Sequence, residues 1–166
     1  MGQISIGYPM TSGLRTIPCD FSPNSQPGSN GISRPYRHLS AGWLSLTGGG
    51  PFYSPPMDSC YTYMQVIILL TDGLNTQDRW YGDGSSLGTP DDAKIDAREQ
   101  LTCSNIKAAR ITLYAIQVNT GGDPTSTLLQ GCANSSDKFF LLTSASQIMT
   151  VFTQIGTNLS QLRVAK

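Results

Sequence analysis

The sequence predicts an α/β protein in which a Rossmann-like parallel sheet carries helices on both faces. Five apolar residues stand in a row from Val66 to Leu70, without the polar alternation of a strand that has one solvated face, so this strand should be covered on both faces. After it, strand and helix patterns alternate to the end of the chain, which favours right-handed crossovers between parallel strands. The 166 residues suffice for one domain of modest size.

Composition excludes several classes of protein. Eleven Lys and Arg balance eleven Asp and Glu, and only 13% of the residues are charged, so nothing indicates a surface for nucleic acid or anionic lipid. No apolar run approaches the roughly 20 residues of a membrane span. Residues 1–14 have neither the basic start nor the apolar core of a signal peptide. We expect no nucleic-acid partner, no signal peptide and no membrane span in this chain.

The first part of the chain is rich in residues that interrupt helices and strands. Residues 1–60 contain more than half of the 17 glycines and most of the 10 prolines, with breaker clusters at 23–31 and 47–56. We therefore predict an irregular Gly/Pro-rich segment over residues 1–41. Between the two clusters, Arg37 to Leu46 is predicted to form one short helix.

The helix after the central strand is predicted from its terminal signals. Asp91 or Asp92, directly after Pro90, is the predicted N-terminal signal of this helix. The helix is predicted to run to about Ala109. We expect it to pack on the sheet through a narrow face of mostly small residues spaced four, three and four apart. That face consists of Ala97, Leu101, Ser104 and Ala108.

Two more strands and two more helices follow. Ile111 to Val118 is rich in β-branched residues and is predicted to be the second strand, and Lys138 to Leu142 is predicted to be the third. Between them Asp123, which precedes a proline, opens a short helix that ends near Gly131. The last helix starts after Ser144 and has a regular apolar stripe. The stripe consists of Ile148, Val151, Phe152, Ile155, Leu159 and Leu162.

Three parallel strands leave one side of the central strand open. The far edge of Val66 to Leu70 would still need a neighbouring strand, because an apolar strand rarely lies exposed at the edge of a sheet. The sequence therefore predicts a fold that is incomplete in its N-terminal half.

The order and spacing of these segments resemble a known family. The resemblance is carried by VIILLTDGLNTQ from Val66, CSNIKAA from Cys103, ITLYAIQV from Ile111, and DKFFLLTSASQIMTVFTQIGTNLSQLR from Asp137. Together they are similar to the carboxyl half of the von Willebrand factor A domain, and more narrowly to the form in bacterial TadG-like proteins, which are associated with tight-adherence (Flp-type) pilus assembly. The resemblance covers residues 42–166, and it implies an adhesion module of the cell envelope with a protein partner, located outside the cytoplasm.

The family uses a metal-ion-dependent adhesion site at the carboxyl end of its strands. The resemblance assigns the strand-end aspartate of that site to Asp72 and, counted back from Trp43, a loop hydroxyl to Ser33. Mg²⁺ prefers oxygen ligands in near-octahedral order, yet the family's Asp-x-Ser-x-Ser motif is absent from this sequence. The resemblance therefore implies an incomplete site, with weak or no Mg²⁺ binding by this chain.

Asp72 allows two other interpretations. Within Thr71-Asp72-Gly73 it could accept backbone hydrogen bonds in a turn that ends the strand. It could instead be the aspartate of a hydrolase, but no second acidic residue flanks that strand to hold the metal that such chemistry requires. The chain also has a single histidine, His38, and no Gly-x-Ser-x-Gly motif, so we expect no enzyme activity.

The four cysteines lack zinc-type spacing and contain no Cys-x-x-Cys pair. The resemblance pairs Cys103 with Cys132, and such a disulfide would join two crossovers. The alternative is that both are small buried residues. Cys19 and Cys60 have no assigned role.

These inferences predict a non-catalytic protein-binding or adhesion module. The alternatives are a metal-independent structural protein of the envelope and a hydrolase that uses Asp72. Because the resemblance fades before Gly42, we also expect the chain to be the carboxyl fragment of a longer protein, with one edge of the Val66 to Leu70 strand uncovered.

Overall fold

The computed structural model of the chain describes residues 3–10, 13–18, 35–48, 57, 60, 63–71, 74–76, 81–82 and 90–164. Within these residues, one five-stranded sheet in the order β2-β1-β3-β4-β5 is accompanied by four α-helices. The strands are β1 (Gln3–Met10), β2 (Gly13–Pro18), β3 (Val66–Thr71), β4 (Thr112–Val118) and β5 (Phe139–Leu142). The helices are α1 (Pro35–Thr47), α2 (Pro90–Ala108), α3 (Thr127–Cys132) and α4 (Gln147–Val164).

The parallel part of the sheet is the one that the sequence predicts. β3 pairs in parallel with β4, from Val66 opposite Thr112 to Thr71 opposite Gln117. β4 pairs in parallel with β5 over the four residues of β5. The predicted α/β class, with three neighbouring parallel strands joined through helices, is confirmed.

An antiparallel pair of strands occupies the side of β3 for which the sequence predicted no neighbour. β1 pairs antiparallel with β3, from Gln3 opposite Leu70 to Gly7 opposite Val66, and its other edge pairs antiparallel with β2. The prediction of an irregular segment over residues 1–41 is therefore wrong for β1 and β2, and the prediction that this edge of β3 is uncovered is wrong as well. The pairing joins segments far apart in the chain, so no local sequence pattern signals it.

Helices cover both faces of the parallel strands. On one face, α1, α2 and α3 pack against alternate residues of β3 and β4, namely Ile67, Leu69, Leu113 and Ala115. On the other face, α4 packs against the residues between them, namely Val66, Ile68, Tyr114 and Ile116. The period-two alternation of a strand divides its side chains between the two faces, so both layers are apolar.

The apolar stripe of α4 lies against the sheet as predicted from Ile148 to Leu159, while the side chain of Leu162 lies outside the described ones. Val151 and Ile155 are buried, and Ile148, Phe152 and Leu159 are partly buried beside them. No helix within the described residues is long and apolar enough to cross a membrane.

The buried face of α2 is not the one that the sequence predicted. Ala97, Leu101, Ser104 and Ala108 are exposed, with Leu101 at 62%. The inward residues are instead Ile95, Glu99, Thr102, Cys103 and Ile106. Small residues at helical spacing offer little apolar area to bury, so the larger aliphatic side chains decide which face meets the sheet.

The end of α2 fixes the start of β4. Ile111 donates its backbone N–H to the carbonyl of Ile106 at 3.2 Å, and Arg110 donates to Lys107 at 2.9 Å, which together form a Schellman motif. Arg110 takes the left-handed conformation, with φ of 61°, at a position where glycine is usual. The chain thus reverses within two residues and enters β4 at its amino end.

Candidate functional site

The candidate site lies at the carboxyl edge of the parallel strands. β3 ends at Thr71 and β4 ends at Val118, so both strands deliver the chain to the same edge of the sheet. Thr71 and Gln117 face each other in register, and both are buried polar residues in an otherwise apolar layer. Ligands of open α/β sheets bind at this edge.

The two predicted metal ligands cannot be located on this edge. Asp72 follows Thr71 directly in sequence, but Asp72 and Ser33 both lie outside the described residues. Among the residues that are described, no group of three or more His, Cys, Asp and Glu side chains could hold a metal ion. An Mg²⁺ site at Asp72 and Ser33 stays a prediction.

A polar cluster that the sequence did not predict joins the segment after β3 to α2. The side-chain nitrogen Nδ2 of Asn75 donates to Oδ1 of Asp96 at 2.9 Å and to Oε2 of Glu99 at 2.6 Å. Asn75 is 7% exposed, and Glu99 is fully buried. Asn75 lies four residues after the end of β3, and the two carboxylates lie one turn apart on α2. The contact between Asn75 and these carboxylates therefore depends on how α2 packs against the sheet.

The negative charge of ionised Glu99 is stabilised by one hydrogen bond, from Asn75, and is otherwise disfavoured. Burial raises the pKa of its carboxyl group to about 7 from an ordinary value of 4.5, the hydrogen bond from Asn75 opposes this shift, and the nearby charge of Asp96 adds to it. Within the part of the chain that the structure describes, no Lys, Arg or His side chain is among the causes of that shift. Two buried oxygen atoms of the cluster, Oδ1 of Asn75 and Oε1 of Glu99, have no hydrogen-bond partner among the described residues. Buried polar atoms are nearly always paired, so these two require an explanation.

A second polar structure holds the loop between β4 and α3. Gln117 donates from Nε2 to the carbonyl of Pro124 at 3.1 Å and accepts at Oε1 from the backbone N–H of Ser126 at 2.9 Å. Asn119 accepts at Oδ1 from the backbone N–H of Asp123 at 2.8 Å. Residues 120–125 are exposed. The loop is therefore fixed by buried and partly buried side chains while its outer surface faces solvent.

The N-terminal cap of α3 belongs to the same loop. The hydroxyl of Ser126 accepts a hydrogen bond from the backbone N–H of Leu129 at 3.2 Å, and the helix begins at Thr127. The prediction that Asp123 opens this helix is therefore wrong by a few residues. Asp123 lies in the exposed loop instead.

Replacement of Gln117 by Met is expected to destabilise the chain by about 1–2 kcal/mol. Met keeps most of the side-chain volume, but the carbonyl of Pro124 and the backbone N–H of Ser126 lose their hydrogen bonds to the side chain of Gln117. Hydrogen exchange measures this: the Ser126 amide should lose protection in the variant. The Asn134 amide, which donates to the carbonyl of Leu113 at 3.1 Å, is the internal control and should keep its protection. Equal protection of Ser126 in both proteins would contradict the assigned role of Gln117.

Cys103 of α2 and Cys132 of α3 form a disulfide, as the resemblance implies. Their sulfur atoms are bonded and their Cα atoms lie 5.1 Å apart, within the usual range for a bridge. Both residues are buried. Cys60 is exposed and lies outside this bridge, and Cys19 lies outside the described residues.

Residues 81–82 are anchored to the first turns of α2. The ring of Tyr81 lies 4.7 Å from Nζ of Lys94 and 4.9 Å from Cζ of Arg98. The backbone N–H of Gly82 points to the carboxylate of Asp91 at 3.4 Å. The described parts of the segment that leads into α2 are thus held by cation–π and polar contacts.

One sequence signal could have located the cluster on α2. Glu99 falls four residues after Ile95 and four before Cys103, so it occupies a position in a stripe that is otherwise inward-facing. A carboxylate at such a position must find a polar partner or a counter-charge inside the protein. No comparable signal identifies Asn75 as that partner.

No family model, no curated protein and no solved structure matches this chain.

Proposed function

We propose that this chain is a non-catalytic protein-binding module of the von Willebrand factor A type, from an extracytoplasmic protein of the cell envelope that takes part in pilus assembly. Its partner is a protein, and the binding surface is the carboxyl edge of β3 and β4. The order of motifs from Val66 to the end of the chain supports the family. The Cys103–Cys132 disulfide supports an oxidising compartment.

The observation that carries the proposal is the fixed, exposed loop after β4. Residues 120–125 are exposed, yet Gln117 and Asn119 hold the loop by hydrogen bonds to its backbone. A loop that is ordered before binding loses less conformational entropy when a partner docks. Recognition residues are commonly presented in this way, on loops held by a rigid sheet.

The adhesion-type metal site contributes little to this proposal. Asp72 is the only clear match to the family's ligands, because the Asp-x-Ser-x-Ser motif is missing from the sequence. One carboxylate with one hydroxyl is a poor site for Mg²⁺, which requires near-octahedral coordination. We therefore propose that partner binding depends only weakly on a metal at Asp72 and Ser33.

Photo-crosslinking from the loop tests the proposal. A photoreactive residue at Thr125, on the carboxyl edge, is compared with one at Arg110, which precedes β4 at the opposite edge; both positions are exposed. The disulfide-bonded chain is irradiated with envelope fractions of the source cells. We expect one discrete protein adduct from Thr125, the same adduct in Asp72→Ala, and none from Arg110.

The loop variant and an activity assay complete that test. Gln117→Met, combined with the probe at Thr125, should give less adduct because the loop is no longer fixed. Equal adducts from both edges, or no adduct from either, would contradict a binding surface at the carboxyl edge. Phosphatase or esterase turnover that is lost in Asp72→Ala would contradict the non-catalytic assignment.

A further inference from the structure

Three oxygen-bearing side chains converge between the end of β3 and α2. The amide group of Asn75 lies 2.9 Å from Oδ1 of Asp96 and 2.6 Å from Oε2 of Glu99, measured from its nitrogen. The carboxylates stand one turn apart on one helix, and the amide comes from a different segment. Glu99 is fully buried and Asn75 is 7% exposed, whereas Asp96 is half-buried, so the cluster is buried at Glu99 and accessible to water at Asp96.

The cluster is not satisfied by its own hydrogen bonds. Oδ1 of Asn75 and Oε1 of Glu99 are buried and have no hydrogen-bond partner in the described ranges, and each such atom costs free energy because it has lost its hydrogen bonds to water. Rotation of the Asn75 amide by half a turn exchanges its oxygen and nitrogen, which have nearly the same shape. The amide oxygen then lies 2.9 Å from Oδ1 of Asp96 and 2.6 Å from Oε2 of Glu99, so oxygen atoms of all three side chains lie close together.

The distances suit a small hard cation. Neighbouring ligands of an octahedral ion with bonds of 2.0–2.1 Å lie about 2.9 Å apart, and Mg²⁺ has such bonds. The separations of 2.9 and 2.6 Å from the amide position to the two carboxylates are close to this value. Mg²⁺ is typically held by one or two carboxylates and keeps several waters, so three protein oxygens are enough.

The charges also suit a divalent ion. Asp96 and Glu99 together carry two negative charges when ionised, and no cationic side chain of the described residues is among the causes that shift the pKa of Glu99. Buried charges in proteins are paired or coordinate a metal. One divalent cation neutralises the pair.

We propose that Asn75, Asp96 and Glu99 bind one divalent cation of the size of Mg²⁺ or Mn²⁺, and that this ion ties the segment after β3 to α2. This site is separate from Asp72 and Ser33, and it shares none of their residues. It does not depend on the partner or on the surface assigned to it above. The ion stabilises the chain and is not exposed to a partner.

Calorimetric titration of the full, disulfide-bonded chain with MgCl₂, and separately with MnCl₂, tests this site. The chain is first freed of metal with EDTA and exchanged into buffer at about pH 8, where carboxylate ligands are deprotonated. We expect one ion per chain. Glu99→Gln and Asp96→Asn should each weaken binding by at least ~10-fold, because the charge of the ligand set decides affinity. Asp91→Asn, in the first turn of the same helix and outside the cluster, is the matched control and should bind like the unmodified chain.

Two further measurements separate this site from its alternatives. Circular dichroism and a non-reducing gel should show that Glu99→Gln is folded and disulfide-bonded, so that lost binding is not lost folding. In the nuclear magnetic resonance spectrum, Mn²⁺ should broaden the amide signals of Asn75 and Glu99 before that of Ser126. Absence of binding by the unmodified chain would overturn the proposal. Binding that is lost in Asp72→Ala and kept in Glu99→Gln would place the ion at Asp72 and overturn it as well.

Discussion

Removal of the Cys103–Cys132 disulfide is expected to lower the free energy of unfolding by about 3–4 kcal/mol. The two cysteines are separated by 29 positions, so the bridge closes a loop of some thirty residues in the unfolded chain and reduces its conformational entropy. The bridge also joins α2 to α3 beneath the apolar layer of β3 and β4. Urea denaturation of the chain and of Cys103→Ala/Cys132→Ala measures the loss.

Reduction provides the control for that experiment. A reductant such as a phosphine should destabilise the unmodified chain by nearly the same amount and should leave the double variant unchanged. If the reductant destabilised the double variant as well, the effect would have another origin. If neither reduction nor substitution changed the midpoint, the entropic role of the bridge would be contradicted.

Glu99 is expected to make the chain less stable as the pH rises from about 4.5 to about 7 in metal-free buffer. The carboxyl group has an ordinary pKa of 4.5, and burial raises this pKa to about 7 in the folded chain. This difference corresponds to roughly 3 kcal/mol. Among the described residues, Asp96 is the one charged group that contributes to the shift, and it raises the pKa further.

The direction of the effect follows from proton binding. Between these two pH values the folded chain keeps the proton on Glu99 and the unfolded chain releases it, so rising pH favours the unfolded chain. Below about pH 4.5 both states hold the proton and there is no penalty. Above about pH 7 both states have released it, and the folded chain bears the full cost of a buried charge.

Glu99→Gln isolates this contribution. Gln has nearly the same shape and no charge, so the variant should be more stable than the unmodified chain at about pH 8 by up to ~3 kcal/mol and nearly equal to it at about pH 4. Asp91→Asn, in the first turn of α2, should keep the pH profile of the unmodified chain in this window, because the pKa of Asp91 is lowered from its ordinary value of 3.8. Urea midpoints across the pH range give the comparison. Parallel profiles for Glu99→Gln and the unmodified chain would show that Glu99 does not titrate in the folded state as described.

The sequence by itself determined the elements that local pattern encodes. The unbroken apolar run of β3 predicted a strand covered on both faces, and the stripe with Val151 and Ile155 at its centre predicted the buried face of α4. Both are short-range signals, because the periodicity of a strand or helix repeats within a few residues. The alternation of these elements was then enough to predict the parallel order of β3, β4 and β5.

Only the tertiary structure decided what long-range packing controls. The antiparallel pairing of β1 with β3 joins distant segments and depends on no local pattern. The spacing of the small residues of α2 did not predict which face of the helix packs on the sheet. The observed orientation of α2 buries Glu99 and exposes Leu101. The meeting of Asn75 with Asp96 and Glu99 follows from that orientation. Asp96 and Glu99 share one face of α2 because they lie one turn apart, but only the packing of α2 on the sheet turns that face toward Asn75.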